Sequence, residues 1–377
     1  MRPHIRKVVE LYLDCGRMHA GFARIRCGDC GDEKLLAFSC QTRGLCPSCQ
    51  AKRAALFGIH LAEEVLAPVP HTHVIFTIPR ALRGLFQRDR RLLGILARAA
   101  YAALREVMQA ELGRKDIVPG FVAALQTFGS FANWQPHVHG VVSEGAFTRD
   151  GEFVTLWTLD TDATCARFRE HVLQELQRAE RLSDDFAEKL RSWNPSGFDV
   201  YAGRQTSMGE TRRIEELGRY MTRPPLPQDR VELLPDGRAL VPTPPDPRTG
   251  ATEIVLDPLE LVHRIVMQIP DRGAHGVRYY GAYSCRARRA HAERPPAQEE
   301  GEQADAPPTA APEDQSEQER QRRRTWARLI RHVFEIDPLL CEQCGGEMRI
   351  ISVITDPPVV QRILKCVERK QAGPDPP

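Results

Sequence analysis

The chain has 377 residues, of which 27% are charged and 42% apolar, and carries a formal net charge of +2. That length suits two or three domains with separate cores, and the absence of any run near roughly 18 apolar residues excludes a helical membrane protein. The total charge hides a gradient: residues 1–130 hold 19 Lys and Arg against 11 Asp and Glu, while 291–319 hold nine acids and one arginine, so the basic front suits a polyanion or simply a solvated face.

Charges and cysteines fill the first 30 residues in place of a signal-peptide core, so a cytoplasmic protein with reduced cysteines is expected. Ile5, Val8, Val9 and Tyr12 predict a helix over 4–15, closed by Gly16. Strands at 22–25 and 35–38 surround Cys27-Gly-Asp-Cys30, Cys40 and Cys46-Pro-Ser-Cys49. Each Cys-x-x-Cys turn presents two thiolates, and two such turns at ribbon spacing complete a tetrahedron, so Cys27, Cys30, Cys46 and Cys49 are the expected ligands of a structural Zn²⁺. Cys40 either replaces one of them or packs. Arg43, Lys52 and Arg53 around this site are placed to meet DNA phosphates.

A helix over 51–66 leads to His71-Thr-His73, which opens an apolar strand, and 81–113 reads as helical and arginine-rich. A strand at 121–128 precedes Trp134-Gln-Pro-His137-Val-His139-Gly140. In an extended strand His137 and His139 share one face while Val138 points into the core, so two imidazoles can share an ion and leave positions open for a phosphate oxygen. The plainer alternative is a pair of half-buried histidines. His71 and His73 compete for the ion; the 137–139 pair is favoured because it lies inside a continuous strand, before a Gly140 where a ligand could approach the backbone.

Residues 160–192 form a charged helical segment with Phe168, Val172 and Leu176 on one side. A helix over 209–223 stops at Pro224-Pro225, with Tyr220 in its last turn. A hairpin over 230–241 and a helix from Asp257-Pro258 to Gln268 follow. Tyr279, Tyr280 and Tyr283 among arginines suit either stacking of single-stranded bases or a packed strand. Residues 290–320 read as a disordered linker. The tail holds a helix near 326–334 and Cys341-Glu-Gln-Cys344, half a zinc site to which Cys366 or His332 would have to contribute. The expected class is α+β: a zinc-binding domain (1–67), an antiparallel sheet with helices against it (68–285), a linker (286–324) and a small C-terminal unit (325–377).

Several stretches resemble the rolling-circle transposases of the insertion sequence 91 and common-region group. They are Gly21-Phe-Ala-Arg-Ile-Arg-Cys27-Gly-Asp-Cys30, Cys46-Pro-Ser-Cys49, Gln126-Thr-Phe-Gly-Ser with His137-Val-His139, Leu217-Gly-Arg-Tyr220 with Arg223-Pro224, Arg278-Tyr-Tyr-Gly281 and Asp337-Pro-Leu-Leu-Cys341. They span nearly the whole chain in the family's order. The resemblance implies a histidine-hydrophobic-histidine (HUH) nuclease domain that nicks and rejoins single-stranded DNA through a 5′-phosphotyrosine. Mg²⁺ or Mn²⁺ would sit on His137 and His139, with Gln126 as third ligand ahead of Glu216. Glu216 stands where some members carry an earlier tyrosine, so Tyr220 alone is implied as nucleophile, with Arg219 and Arg223 beside it on the DNA. Single-stranded element ends at the prokaryotic nucleoid are the implied partner, and self-association stays open. The competing readings are a zinc-ribbon DNA-binding regulator, or inactive remnant, and a phosphoesterase using His73 and His137 as acid and base.

Overall fold

The computed structural model describes residues 2–129, 132–156, 158–207, 209–226, 231–243, 245, 249–292 and 340–371. They gather into two compact units, residues 1–56 with 298–377, and residues 57–297. Most of the expected linker, the helix near 326–334 and His332 lie outside the described residues. Among the described residues no helix is long and apolar enough to cross a membrane.

The smaller unit begins with α1 (His4–Leu13), β1 (Phe22–Cys27), β2 (Glu33–Ala37) and the start of α2 (Pro47–His60). Phe22, Ala23, Ile25 and Cys27 of β1 are buried, and β1 pairs antiparallel with β2. Proline at the first position of α2 has no amide hydrogen to leave unpaired, which suits a helix start.

The larger unit runs through β3 (His71–Thr77), α3 (Arg80–Arg88), α4 (Leu93–Glu111), β4 (Gly120–Phe128), β5 (Trp134–Ser143), β6 (Gly145–Phe147), β7 (Phe153–Thr155), α5 (Thr161–Arg178) and α6 (Asp184–Ser192). It continues with β8 (Asp199–Thr206), α7 (Thr211–Met221), β9 (Glu232–Leu233), β10 (Ala239–Pro242), β11 (Glu253–Leu256), α8 (Pro258–Gln268), β12 (Val277–Gly281) and α9 (Cys285–Ala292). Five strands form one sheet in the order β12-β4-β5-β3-β8, with every neighbour antiparallel. Strand β8 escapes the sequence reading because Asp199-Val-Tyr-Ala-Gly-Arg-Gln-Thr206 lacks clean apolar alternation.

The two faces of this sheet have different roles. Val74, Phe76, Phe121, Ala123, Val138 and Val142 face α3, α4, α5 and α6, which cover them with Phe86, Leu96, Leu104 and Phe168. On the other face Val122, Ala124 and Val141 meet Leu61, Val65, Met221 and Tyr283. Alternation along β5 therefore places Val138 and Gly140 under the helical layer, and His137 and His139 on the opposite face.

One expectation changes here, and one pair of alternatives is decided. Gly140 does not open the backbone to a ligand: a Cβ there would run into the Phe121 ring and lie 3.2 Å from Val74, so the glycine makes room for core packing. Of the two readings for the tyrosines of 279–283, the packed strand holds and the open stacking platform does not. Tyr280 stacks on Tyr101 and Phe121 because β12 pairs with β4, and Tyr283, in the turn that follows, is buried against Phe147.

The chain then returns to the smaller unit with β13 (Met348–Ile354), followed by the C-terminal helix Pro357–Gln371. Strand β13 pairs antiparallel with the free edge of β1, giving the order β13-β1-β2. The tail is thus not a unit of its own; it supplies the third strand that a marginal two-stranded hairpin lacks.

Gly140→Ala should destabilise the larger unit by about 1–3 kcal/mol through overpacking against Phe121. Denaturant unfolding measures it, and an unshifted midpoint would show that the ring has room to move.

Candidate functional site

Eight cysteines of the smaller unit form two tetrads. Cys15, Cys40, Cys46 and Cys49 make one, and Cys27, Cys30, Cys341 and Cys344 make the other; in each, all four sulfurs lie within 4.8 Å of one another. In the first, Cys15 and Cys46 stand 3.6 Å apart, Cys15 and Cys49 3.7 Å, and Cys40 and Cys49 3.6 Å. In the second, Cys27 meets Cys344 and Cys30 meets Cys341, both at 3.5 Å. Disulfide sulfurs would be about 2.05 Å apart. Thiolates on a tetrahedron with bonds near 2.3 Å are about 3.8 Å apart, so both tetrads fit a structural Zn²⁺. Backbone N–H groups of Cys30 and Asp29 hold the Cys27 thiol down to about 7, which favours the thiolate a metal needs.

The single site expected from Cys27, Cys30, Cys46 and Cys49 is therefore not assembled. The β1–β13 pairing draws Cys27 and Cys30 to the tail, and α1 delivers Cys15 to Cys46 and Cys49. Cys40 joins as a full member of its tetrad. Cys366 is exposed and belongs to neither.

In the larger unit, three imidazoles from β3 and β5 meet on the sheet face away from α4. His137 Nε2 lies 3.0 Å from His139 Nε2, and His139 Nδ1 lies 3.0 Å from His73 Nε2. His137 Nδ1 donates to the Gln135 carbonyl at 2.8 Å. Burial lowers all three below the ordinary histidine value: His73 to about 4, and His139 to about 2 with the further push of His137, His73 and Arg223. His137 is lowered by burial against the pull of the Gln135 carbonyl, with Arg223 and Arg83 adding to the effect. At neutral pH the rings are uncharged and keep a lone pair each. His71 does not compete: its Nε2 is taken by the buried Tyr283 hydroxyl at 2.6 Å.

Tyr220 contacts two of these rings. Its ring centre lies 5.2 Å from that of His139 and 5.9 Å from that of His73, and its plane is nearly perpendicular to both. The Arg223 guanidinium sits 4.8 Å from the Tyr220 ring centre, and Tyr220 itself is 42% exposed. Two features hold it there. Helix α7 crosses the π-helical turn Leu61–Val65 and its approach so closely that a Cβ on Gly218 would stand 2.7 Å from the Gly58 Cα. Gln126 then donates from Nε2 to the carbonyls of Tyr220 (3.2 Å) and Met221 (2.8 Å), two of the groups a helix end leaves unpaired. Gln126 faces His137 across β4 and β5, is 3% exposed, and its Oε1 is buried with no hydrogen-bond partner.

Glu216 points to solvent and pairs with Arg212 at 3.1 Å, so the structure does not bring it to the histidines. Arg219 pairs along α7 with Glu215 at 3.7 Å. In the smaller unit, burial and the neighbouring Arg53 lower Arg43, so these two cations lie together as the sequence spacing suggested. The sequence reading passed over Cys15 and Arg83. Cys15 had a signal in retrospect, because one lone and five clustered N-terminal cysteines plus the tail pair make two sets of four.

Residues 1–78 match the family model of a transposase zinc-binding domain, and residues 120–291 that of a putative transposase. The chain is 26% identical over 365 residues to the transposase for insertion sequence element IS801 of Pseudomonas savastanoi pv. phaseolicola, covering 93% of this chain and 84% of that protein. It is 28% identical over 285 residues to the putative transposase y4qJ of Sinorhizobium fredii, covering 70% of each. No solved structure matches.

Metal analysis of the full chain should find about two Zn²⁺, one for each tetrad. Cys341→Ser and Cys15→Ser should each remove one. A Cys341→Ser protein that keeps its full zinc content would break the pairing of Cys27 and Cys30 with the tail.

Proposed function

Because the chain belongs to the insertion sequence 91 family of transposases, we propose that it nicks and rejoins single-stranded DNA at the ends of its element through a covalent bond between Tyr220 and a 5′ phosphate. The observation that carries this reading is the half-exposed Tyr220 ring set perpendicular to the buried His139, whose Nε2 lies 3.0 Å from that of His137.

Tyr220 Oη attacks the scissile phosphorus, and the bond from phosphorus to the 3′ oxygen breaks. One proton leaves the phenol and one is taken up by the departing 3′ oxygen. The energy of the phosphodiester is kept in the tyrosyl ester, so attack by a 3′ hydroxyl rejoins the strand without ATP. Arg223 beside the ring stabilises negative charge as it develops on the attacking oxygen and meets the phosphate. Gln126 fixes the helix end that carries the nucleophile. Arg219 near the cut, and Arg43, Lys52 and Arg53 in the zinc-binding unit, contact the DNA backbone and set its register.

The histidine site fits a small divalent ion on three grounds. Its imidazoles are neutral, its two facing nitrogens stand 3.0 Å apart, and Gln126 Oε1 on the same sheet face is a buried oxygen with no partner. Adjacent ligands of an octahedron with bonds near 2.1 Å are about 3.0 Å apart. His137 and His139 through Nε2, with Gln126 Oε1, would hold Mg²⁺ or Mn²⁺, which when bound polarises the phosphate and offsets charge on the leaving oxygen.

The test mixes purified protein, Mn²⁺ and labelled single-stranded element termini and looks for a denaturant-resistant adduct. Tyr220→Phe should fold and bind DNA yet form none, since it removes one oxygen and little volume. His137→Ala and His139→Ala should slow cleavage at least about 100-fold while leaving most DNA binding, which phosphate contacts supply. Peptide mapping that places the adduct on 279–283 would refute the nucleophile, and salt-sensitive binding without any adduct would favour a DNA-binding regulator.

A further inference from the structure

His73 has no part in the proposed strand transfer, although its ring meets that of His139, one of the ion-holding pair. Its ring and that of His139 are 1° apart in plane with centroids 5.2 Å apart, while their nearest nitrogens are 3.0 Å apart. A centroid separation so much larger than the nitrogen contact lays that contact along the line joining the rings, in the plane of both. This is the geometry of an N–H···N hydrogen bond.

The protons can be followed through the three rings. The Gln135 carbonyl only accepts, so the neutral His137 carries its hydrogen on Nδ1 and presents a lone pair at Nε2. That lone pair faces His139 Nε2 at 3.0 Å. Two lone pairs at this distance repel unless a cation lies between them. In the metal-free protein, His139 relieves the repulsion by carrying hydrogen on Nε2, and its Nδ1 then accepts from His73. To offer Nε2 to an ion beside His137, His139 must carry hydrogen on Nδ1 instead. That hydrogen needs an acceptor, and His73 Nε2 stands in line to accept it.

Resting on the placement of the ion at His137 and His139, we propose that His73 is a positioning residue that accepts the His139 Nδ1–H and so fixes the tautomer in which His139 Nε2 binds the cation. It acts through His139 and is not itself a ligand, because its one nitrogen that reaches the cluster is directed at His139 Nδ1, on the far side of that ring from His137. Partners that orient a ligating histidine in this way typically change metal affinity 10–100-fold.

Mn²⁺ titration of the zinc-loaded full chain without DNA, followed by electron paramagnetic resonance, tests this independently of strand cleavage. His73→Phe keeps the ring but has no acceptor, and should weaken Mn²⁺ binding about 10–100-fold. His73→Gln, whose side-chain oxygen can accept, should recover most of it. Nitrogen NMR of the parent with diamagnetic Mg²⁺ should show His139 protonated at Nδ1, a result that stands even where His73→Phe fails to fold. Unchanged Mn²⁺ affinity in folded His73→Phe overturns the proposal, as does a pulsed-resonance spectrum with a third coordinated imidazole that is lost with His73. Mn²⁺ binding indifferent to His137→Ala overturns both this proposal and the placement of the ion. Binding that depends on His73, in a protein that forms no DNA adduct, would sink the transposase chemistry alone.

Discussion

Antiparallel register between β5 and its neighbours is the constraint on which the rest of the larger unit depends. His137 stands opposite Gln126 on one side and Thr77 on the other, and His139 opposite Ala124 and Ile75. Because strand side chains alternate, a slip of one residue would send both histidines beneath the helices and bring Val138 to the other face. Phe121 lying over Gly140 and Val138 packed beneath the helical layer make such a slip costly. A polar floor is thereby held in register by the apolar packing on its reverse side.

That floor would be expensive if it carried charge. Burial of three imidazoles keeps each uncharged, and mutual hydrogen bonds satisfy most of their nitrogens. Gln126 Oε1 is the exception, and an unpaired buried acceptor costs roughly 1–3 kcal/mol. Sites that keep such a group are commonly ones where something else completes it. The glycine-on-glycine crossing at Gly58 and Gly218 serves the same end by a different route, since close backbone approach brings Tyr220 down onto the rings without a long side chain having to reach.

Much of this site was legible in the sequence, because its signals are local. The period of two puts His137 and His139 on one face whatever the fold around them, and Pro224 ends the helix that bears Tyr220. The role of Gly218, inside the very motif that carried the resemblance, was invisible because it depends on a turn about 160 residues earlier. The cysteine pairing was illegible for a related reason. Each Cys-x-x-Cys turn announces half a site, but ligand spacing says nothing about which halves meet, and Cys30 finds Cys341 at a separation of 311 residues. Cys15 carries no motif at all. His73 was visible as a rival ligand or as an acid–base partner of His137, but not as the neighbour of His139 Nδ1, since strand order within a sheet is a tertiary fact.

The meeting of the two chain ends in one tetrad has a consequence for synthesis. A ribosome adding about 5–20 residues per second needs roughly 15–60 s to cover the 311 residues from Cys30 to Cys341. During that interval β1 has one exposed edge, and Cys27 and Cys30 have only half a coordination shell. A nascent chain released between residues 292 and 341 keeps His73, Gln126, His137, His139, Tyr220 and Arg223 but cannot close this tetrad. Completion of the zinc-binding unit thus waits on the last of its eight tetrad cysteines, Cys344.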